Sequence, residues 1–197
     1  LKHKSFIGMH PVPVVHGMTV AEYATMINKE GWLKDSVKCD LSVVTCENYS
    51  HKDYYQLPIS PSPNLPNMAS VYLYPSLCFF EGTKLSVGRG TDKQFQIIGY
   101  PQFEDTAFSF IPMPNLGSKY PKFKGEKCFG LDLSQFGANY FRNIGQLYFE
   151  WMTMFYESYP NKKEFFRTDG FFTLLAGTTI LREQLEVGRS AEEISNS

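Results

Sequence analysis

The chain has 197 residues, 43% of them hydrophobic and 20% charged, a balance that suits one sizeable globular domain and excludes disorder. A formal net charge of −1 gives no global pull toward nucleic acid. No apolar run reaches the ~20 residues that a bilayer-spanning helix needs.

In chain order, residues 6–15 read as a strand-like lead broken by Pro11 and Pro13, which suits an edge or an extended wall. Thr19-Val-Ala-Glu22 is a capping box, and Val20, Ala24 and Ile27 repeat at helical spacing until Gly31 ends the element. A short strand is expected over 39–46. Residues 49–66 form a loop stiffened by Pro58, Pro61, Pro63 and Pro66. The apolar run 71–80 reads as a buried strand, followed by strands over 94–99, 108–113 and 128–133. The best helix is 143–158, with Ile144, Leu147, Tyr148, Trp151 and Phe155 on one face as core packing. A second helix runs over 179–187 and stops at Gly188, and Ser190-Ala-Glu-Glu193 caps a third. Strands and helices mix without a βαβ rhythm, so the fold class is α+β, a small mixed sheet packed with helices.

Four cysteines, Cys39, Cys46, Cys78 and Cys128, match neither a zinc nor a redox pattern and read as buried thiols, with a Cys39–Cys46 disulfide as the alternative in an oxidising compartment. His3, His10, His16 and His51 have no ligand spacing, so no metal and no cofactor is expected. Lys119, Lys122, Lys124 and Lys127 form the one basic cluster, read as a solvated loop because Gly125 and Glu126 break the run. The aromatic share of 16% serves a packed core first and a sugar-binding wall second.

Residues 61–91 carry the densest candidate chemistry. Glu81 follows directly on the apolar run, where partial desolvation suits a general acid. Gly82, Gly88 and Gly90 permit close approach of the backbone to a ligand. Arg89, between two glycines, can present a planar fork to a carboxylate. The plainer alternative is a tight turn with a solvated arginine.

Taken together, Val14-Val-His16-Gly-Met-Thr-Val-Ala-Glu22, Ser62-Pro-Asn64-Leu-Pro, Tyr74-Pro, Glu81-Gly-Thr, Gly88-Arg-Gly-Thr91 and Leu174-Leu-Ala-Gly-Thr-Thr-Ile-Leu-Arg182 resemble the exo-β-N-acetylmuramidase family. The resemblance implies removal of terminal N-acetylmuramic acid from the non-reducing end of peptidoglycan fragments, in a periplasmic or secreted setting. It also implies a two-part protein with a Rossmann-like N-terminal domain that supplies a catalytic glutamate. On this reading residues 1–197 are a single C-terminal domain, truncated at both ends and inactive alone. Glu81 is the catalytic candidate. Arg89 would pair with the lactyl carboxylate of muramic acid, and Asn64 with its N-acetyl group or a ring hydroxyl. His16 would donate to substrate or bond nearby backbone, and Glu22 stays with its capping box. Thr91, Ser86 and Gly90 are further substrate-side candidates. The alternative is a non-catalytic module that binds muropeptides or other anionic sugars.

Overall fold

The computed structural model describes residues 2–139 and 145–197. In place of the single expected domain, the chain forms two compact units: residues 9–56, and residues 2–8 with 57–197.

The first unit is built on α1 (Val20–Glu30). Its capping box forms as expected: the Glu22 amide donates to Thr19 Oγ1 at 3.2 Å, and the Thr19 amide donates to Glu22 Oε2 at 2.7 Å. Gly31 closes the helix at φ 69°, where a side chain would be strained. Residues 39–46 form no strand and join no ladder among the described residues. The Asn28 side chain pairs with Cys39 as a strand would, accepting from its amide at 2.8 Å and donating to its carbonyl at 2.9 Å. The lead over 6–15 is turns rather than strand, its prolines leaving no continuous run of donors. No described residue of this unit is buried, so caps and side-chain bonds carry its local order.

The second unit holds the core. The run expected as a strand over 71–80 is instead α2 (Met68–Leu77), continued by a 3₁₀ turn over Cys78–Gly82. Asn67 caps it reciprocally with Ser70, and the burial of Ser70, Leu73, Ser76 and Leu77 follows helical, not alternating, spacing. Val71, Tyr72 and Tyr74 favour strands only weakly, and a well-capped buried segment overrides that preference. Three strands, β1 (Ile97–Tyr100), β2 (Ser109–Phe110) and β3 (Cys128–Asp132), pair in the order β1-β3-β2. All pairings are antiparallel, so the class is α+β as expected but the sheet is not mixed.

Among the described residues the unit also has helices α3 (Ser134–Asn139), α4 (Glu150–Ser158), α5 (Lys162–Phe165), α6 (Phe171–Ala176), α7 (Ile180–Glu186) and α8 (Ala191–Ser195). The helix expected over 143–158 begins only at Glu150. Leu147 and Tyr148 precede it, the Tyr148 amide donating to Ser76 Oγ at 2.9 Å, while Asn143 and Ile144 lie outside the described residues. The two C-terminal helices stand where expected; Ser190 and Glu193 form a capping box at the second, while Thr179, the N-cap position of the first, makes no side-chain cap bond.

Most of the second unit's described aromatic residues pack in or against its core. Phe80 meets Phe155 edge-on at 6.0 Å, Tyr156 meets Phe165 at 5.2 Å, and the buried Tyr100 hydroxyl donates to the Ser158 carbonyl. Cys78 and Cys128 are buried thiols as expected, but Cys39 and Cys46 are exposed, and all four are free.

Gly82, beside the candidate site, is a sharp packing constraint. A Cβ there would lie 2.4 Å from the Phe172 Cα, on α6. That neighbour is backbone and cannot swing away. Gly82→Ala is therefore expected to lower the unfolding free energy by about 2 kcal/mol or more, the range of core overpacking. A urea titration of the full chain checks it; a change within about 0.5 kcal/mol would place a hole where the structure has none.

Candidate functional site

The site grows from one turn. After α2 the backbone winds through Phe80, Glu81, Gly82 and Thr83, which is tied to the segment before α6 by a Thr83–Phe166 bridge. The Lys84 amide donates to the Phe165 carbonyl at 2.8 Å and the Arg167 amide to the Gly82 carbonyl at 2.9 Å. Glu81 thus projects from a 3₁₀ turn locked on both sides, not from a strand end.

Ser86 then bonds both backbone groups of Gly99, fastening the next loop to the free edge of β1. Within that loop Gly88 (φ 76°) and Gly90 (φ 84°) bracket Arg89. A Cβ on Gly90 would lie 2.7 Å from the Met113 carbonyl and from Pro121, so the loop is pressed against residues 113–121. Thr91 Oγ1 donates to the Gly88 carbonyl at 2.7 Å and accepts from the Lys93 amide at 3.0 Å.

These constraints aim Arg89 back at Glu81. Arg89 Nε lies 2.7 Å from Glu81 Oε1, with the guanidinium 5.1 Å from the centre of the Phe95 ring. The contact is a charge pairing rather than an aligned hydrogen bond, because the buried Nε–H has no acceptor in line. Together they line a cavity of about 290 Å³ with Ser86, Tyr120, Lys122 and Arg167. Among its lining residues are three cations, Arg89, Lys122 and Arg167, and one carboxylate, Glu81. Such a wall favours a ligand that brings negative charge.

Lys122 and Arg167 were not singled out by sequence reasoning. Lys122 sits in the stretch read as a solvated loop, and Lys119, Lys124 and Lys127 are exposed as expected. Lys122 is not. Its Nζ donates to the carbonyls of Phe80 (3.2 Å), Glu81 (3.4 Å), Thr83 (2.7 Å) and Leu85 (2.8 Å). Burial pushes its ammonium down to about 7 from the ordinary 10.5, with Glu81 acting in the opposite direction. Arg167 pairs with Asp169, stacks over Phe171 at 4.9 Å and reaches the Glu81 carbonyl at 3.4 Å. One sequence signal existed for Lys122, the prolines and aromatics around it, which suit a packed segment better than a solvated one.

The other candidates are distributed. Ser86, Gly90 and Thr91 shape the Arg89 loop. Asn64 is buried, its Nδ2 donating to the Gly117 carbonyl at 2.7 Å, and it holds down the loop leading to Ser118 and Tyr120. His16 belongs to the first unit, where Nδ1 accepts from the Met18 amide at 3.1 Å and the ring stacks on Tyr23. That is the backbone-bonded alternative. Glu22 keeps its capping role and also meets His51 Nε2 at 2.9 Å; the Thr19 amide holds its carboxyl below the ordinary value. A larger cavity, about 910 Å³, lies in the first unit between α1 and residues 41–51. No group of three or more metal-ligating side chains occurs among the described residues.

Residues 72–197 match the family model of the C-terminal part of the exo-β-N-acetylmuramidase NamZ, and residues 1–69 match the model of its N-terminal part. The chain belongs to the NamZ family. The expectation that it carries only the C-terminal part is thereby corrected, since motifs such as His16–Glu22 fall within the N-terminal match. The structural boundary at Gln56 comes before the family boundary because residues 57–66 pack with the second unit, through Asn64 among others. The Bacillus subtilis peptidoglycan β-N-acetylmuramidase NamZ is 33% identical over the whole chain. A crystal structure of a DUF1343 family protein from Bacteroides fragilis is 43% identical with a TM-score of 0.94 over 99% of the chain. The chain spans about half of either protein, 50% of the first and 54% of the second.

The buried titratable groups give a pH signature. Lys122 binds fewer protons folded than unfolded between about 7 and 10.5, so stability rises with pH across that window. Burial pushes the Cys78 and Cys128 thiols up to about 12 from 9.0, and their contribution is present below 9.0 and lost as pH climbs toward 12. Unfolding free energy is therefore expected to climb from about pH 7 to about pH 9 and then fall. Urea titrations at constant ionic strength check it, and a steady decline from neutral pH would contradict the burial of Lys122.

Proposed function

We propose that the full-length protein containing this chain is a glycoside hydrolase that removes terminal N-acetylmuramic acid from the non-reducing end of peptidoglycan fragments, in a periplasmic or secreted setting. Family membership supports the peptidoglycan glycosidase class, and the cation-rich cavity at Glu81 and Arg89 is the observation that carries the muramic acid reading. Muramic acid differs from glucosamine by a lactyl ether bearing a carboxylate. Arg89 is held by Gly88 and Gly90, and among the described residues its terminal nitrogens make no hydrogen bond; a planar fork of that kind reads a carboxylate bidentately. Glu81 assists at the bond to be broken, as acid, base or ligand to a sugar hydroxyl. Cleaving a glycosidic bond ordinarily takes a second carboxyl group across from the first. The lining residues of this cavity include no other, so the chain alone is expected to be inactive.

The test is hydrolysis of a chromogenic β-N-acetylmuramide by the full-length protein. Glu81→Gln is expected to lower kcat by about 100-fold with the fold retained, the low end for loss of an acid–base group. Arg89→Ala is expected to weaken binding of N-acetylmuramic acid by roughly 10–100-fold while leaving N-acetylglucosamine unaffected, the range for a charged hydrogen bond. No turnover by the full-length protein, with muramic acid still bound through Arg89, would replace the hydrolase by a non-catalytic module for anionic sugars.

A further inference from the structure

We propose that Lys122 is a positioning residue of this site, gathering the carbonyls of Phe80, Glu81, Thr83 and Leu85 around its ammonium and so fixing the turn that aims Glu81 at Arg89. As a contribution to turnover, this rests on the hydrolase reading above.

Three observations carry it. An ammonium has three protons, and here all are directed at main-chain carbonyls of one turn, at 2.7 to 3.4 Å, none at a carboxylate. The turn cannot satisfy those carbonyls itself. Thr83 donates to Phe80 through both its amide and its hydroxyl, but among the described residues the Leu85 carbonyl has no other donor, and the Glu81 carbonyl has besides Lys122 a long contact to Arg167. Finally, Lys122 comes from a distant loop anchored by Pro121 against Gly90, so the same loop fixes both the Glu81 turn and the Arg89 turn. The lysine is thus a pin between the two halves of the ion pair.

The pin depends on charge. Glu81 faces it and favours the ammonium; Arg167 from the segment before α6, Arg89 from the glycine loop and Lys84 from the turn oppose it, with burial the largest influence. A neutral amine offers two protons to four carbonyls, so deprotonation leaves more of the turn's carbonyls without a donor, even though removing the buried charge raises global stability. Arginine carries its charge at any working pH and can reach several carbonyls at once.

The experiment compares Lys122→Arg and Lys122→Met with wild type in the full-length protein, measuring kcat and KM for the muramide from about pH 6 to about pH 9. Lys122→Met is expected to lower kcat about tenfold or more with KM changed less than about threefold. Lys122→Arg is expected to recover most of kcat and to move the basic limb, near neutral pH in wild type, upward by about one unit or more. A Lys122→Met enzyme with wild-type kcat, or a Lys122→Arg enzyme with an unmoved basic limb, would overturn the proposal. If Lys122→Met does not fold, the limb of Lys122→Arg decides alone. If wild type hydrolyses nothing, the hydrolase reading falls separately, and Lys122 is judged by backbone hydrogen exchange over residues 83–87. Exchange about tenfold faster in Lys122→Met and restored in Lys122→Arg upholds the pin; unchanged exchange removes it.

Discussion

A single ammonium ringed by four carbonyls organises the second unit's working face. Bringing a lysine out of water costs several kcal/mol if nothing replaces its hydration. Here the carbonyl dipoles of Phe80, Glu81, Thr83 and Leu85 take water's place. The exchange also works in reverse, since those carbonyls would otherwise be buried polar groups with few donors. Neither the lysine nor the turn is well satisfied without the other. That mutual dependence holds a short irregular segment in one shape without a ladder or a long helix.

The rest of the site follows from that turn. Gly82, packed against the Phe172 backbone, leaves no room for the chain to relax. The Thr83–Phe166 bridge brings Arg167 alongside, and the Ser86–Gly99 pairing carries the chain onto the edge of β1 before the Arg89 loop. The ion pair at 2.7 Å is then a result of backbone geometry more than a cause of it. With side-chain exposures of 34% and 20%, Arg89 and Glu81 are screened enough by water that their pairing contributes modestly to stability. What the pairing fixes is orientation, which the proposed recognition of a planar anionic group would require.

How much of this was legible in the sequence depends on how local the cause is. Thr19–Glu22 and Ser190–Glu193 specify helix starts within four residues, and both capping boxes form. The glycines around Arg89 likewise announced a turn that the structure contains. The run over 71–80 was misread because a short apolar segment carries no period that separates strand from buried helix, and its deciding cap, Asn67 with Ser70, lies just upstream. Residues 39–46 have strand composition, yet a strand exists only where a partner offers its edge, and none does among the described residues. Lys122 was hidden most completely. Its neighbours in sequence are exposed lysines, while the four carbonyls that define it come from residues 37 to 42 positions earlier in the chain. The split into two units also escaped the sequence, because a proline-rich stretch such as 57–66 reads equally as a linker and as a packed wall.

The two units differ in what holds them. The second has a continuous aromatic core, from Phe80 through Phe155 and Phe165 to Phe172. The first has no buried residue among those described; Val20 and Val44 are 88% and 94% exposed, and its helix is kept by caps at both ends. A capped eleven-residue helix is marginal in water without a packed face. The chemistry divides in a similar way. The Glu81 cavity holds one carboxylate among three cations, a composition suited to gripping an anion and short of the paired carboxyl groups that break a glycosidic bond. On the proposed reaction, recognition is therefore the part that this cavity is equipped to perform, and a second carboxyl group would come from outside its walls.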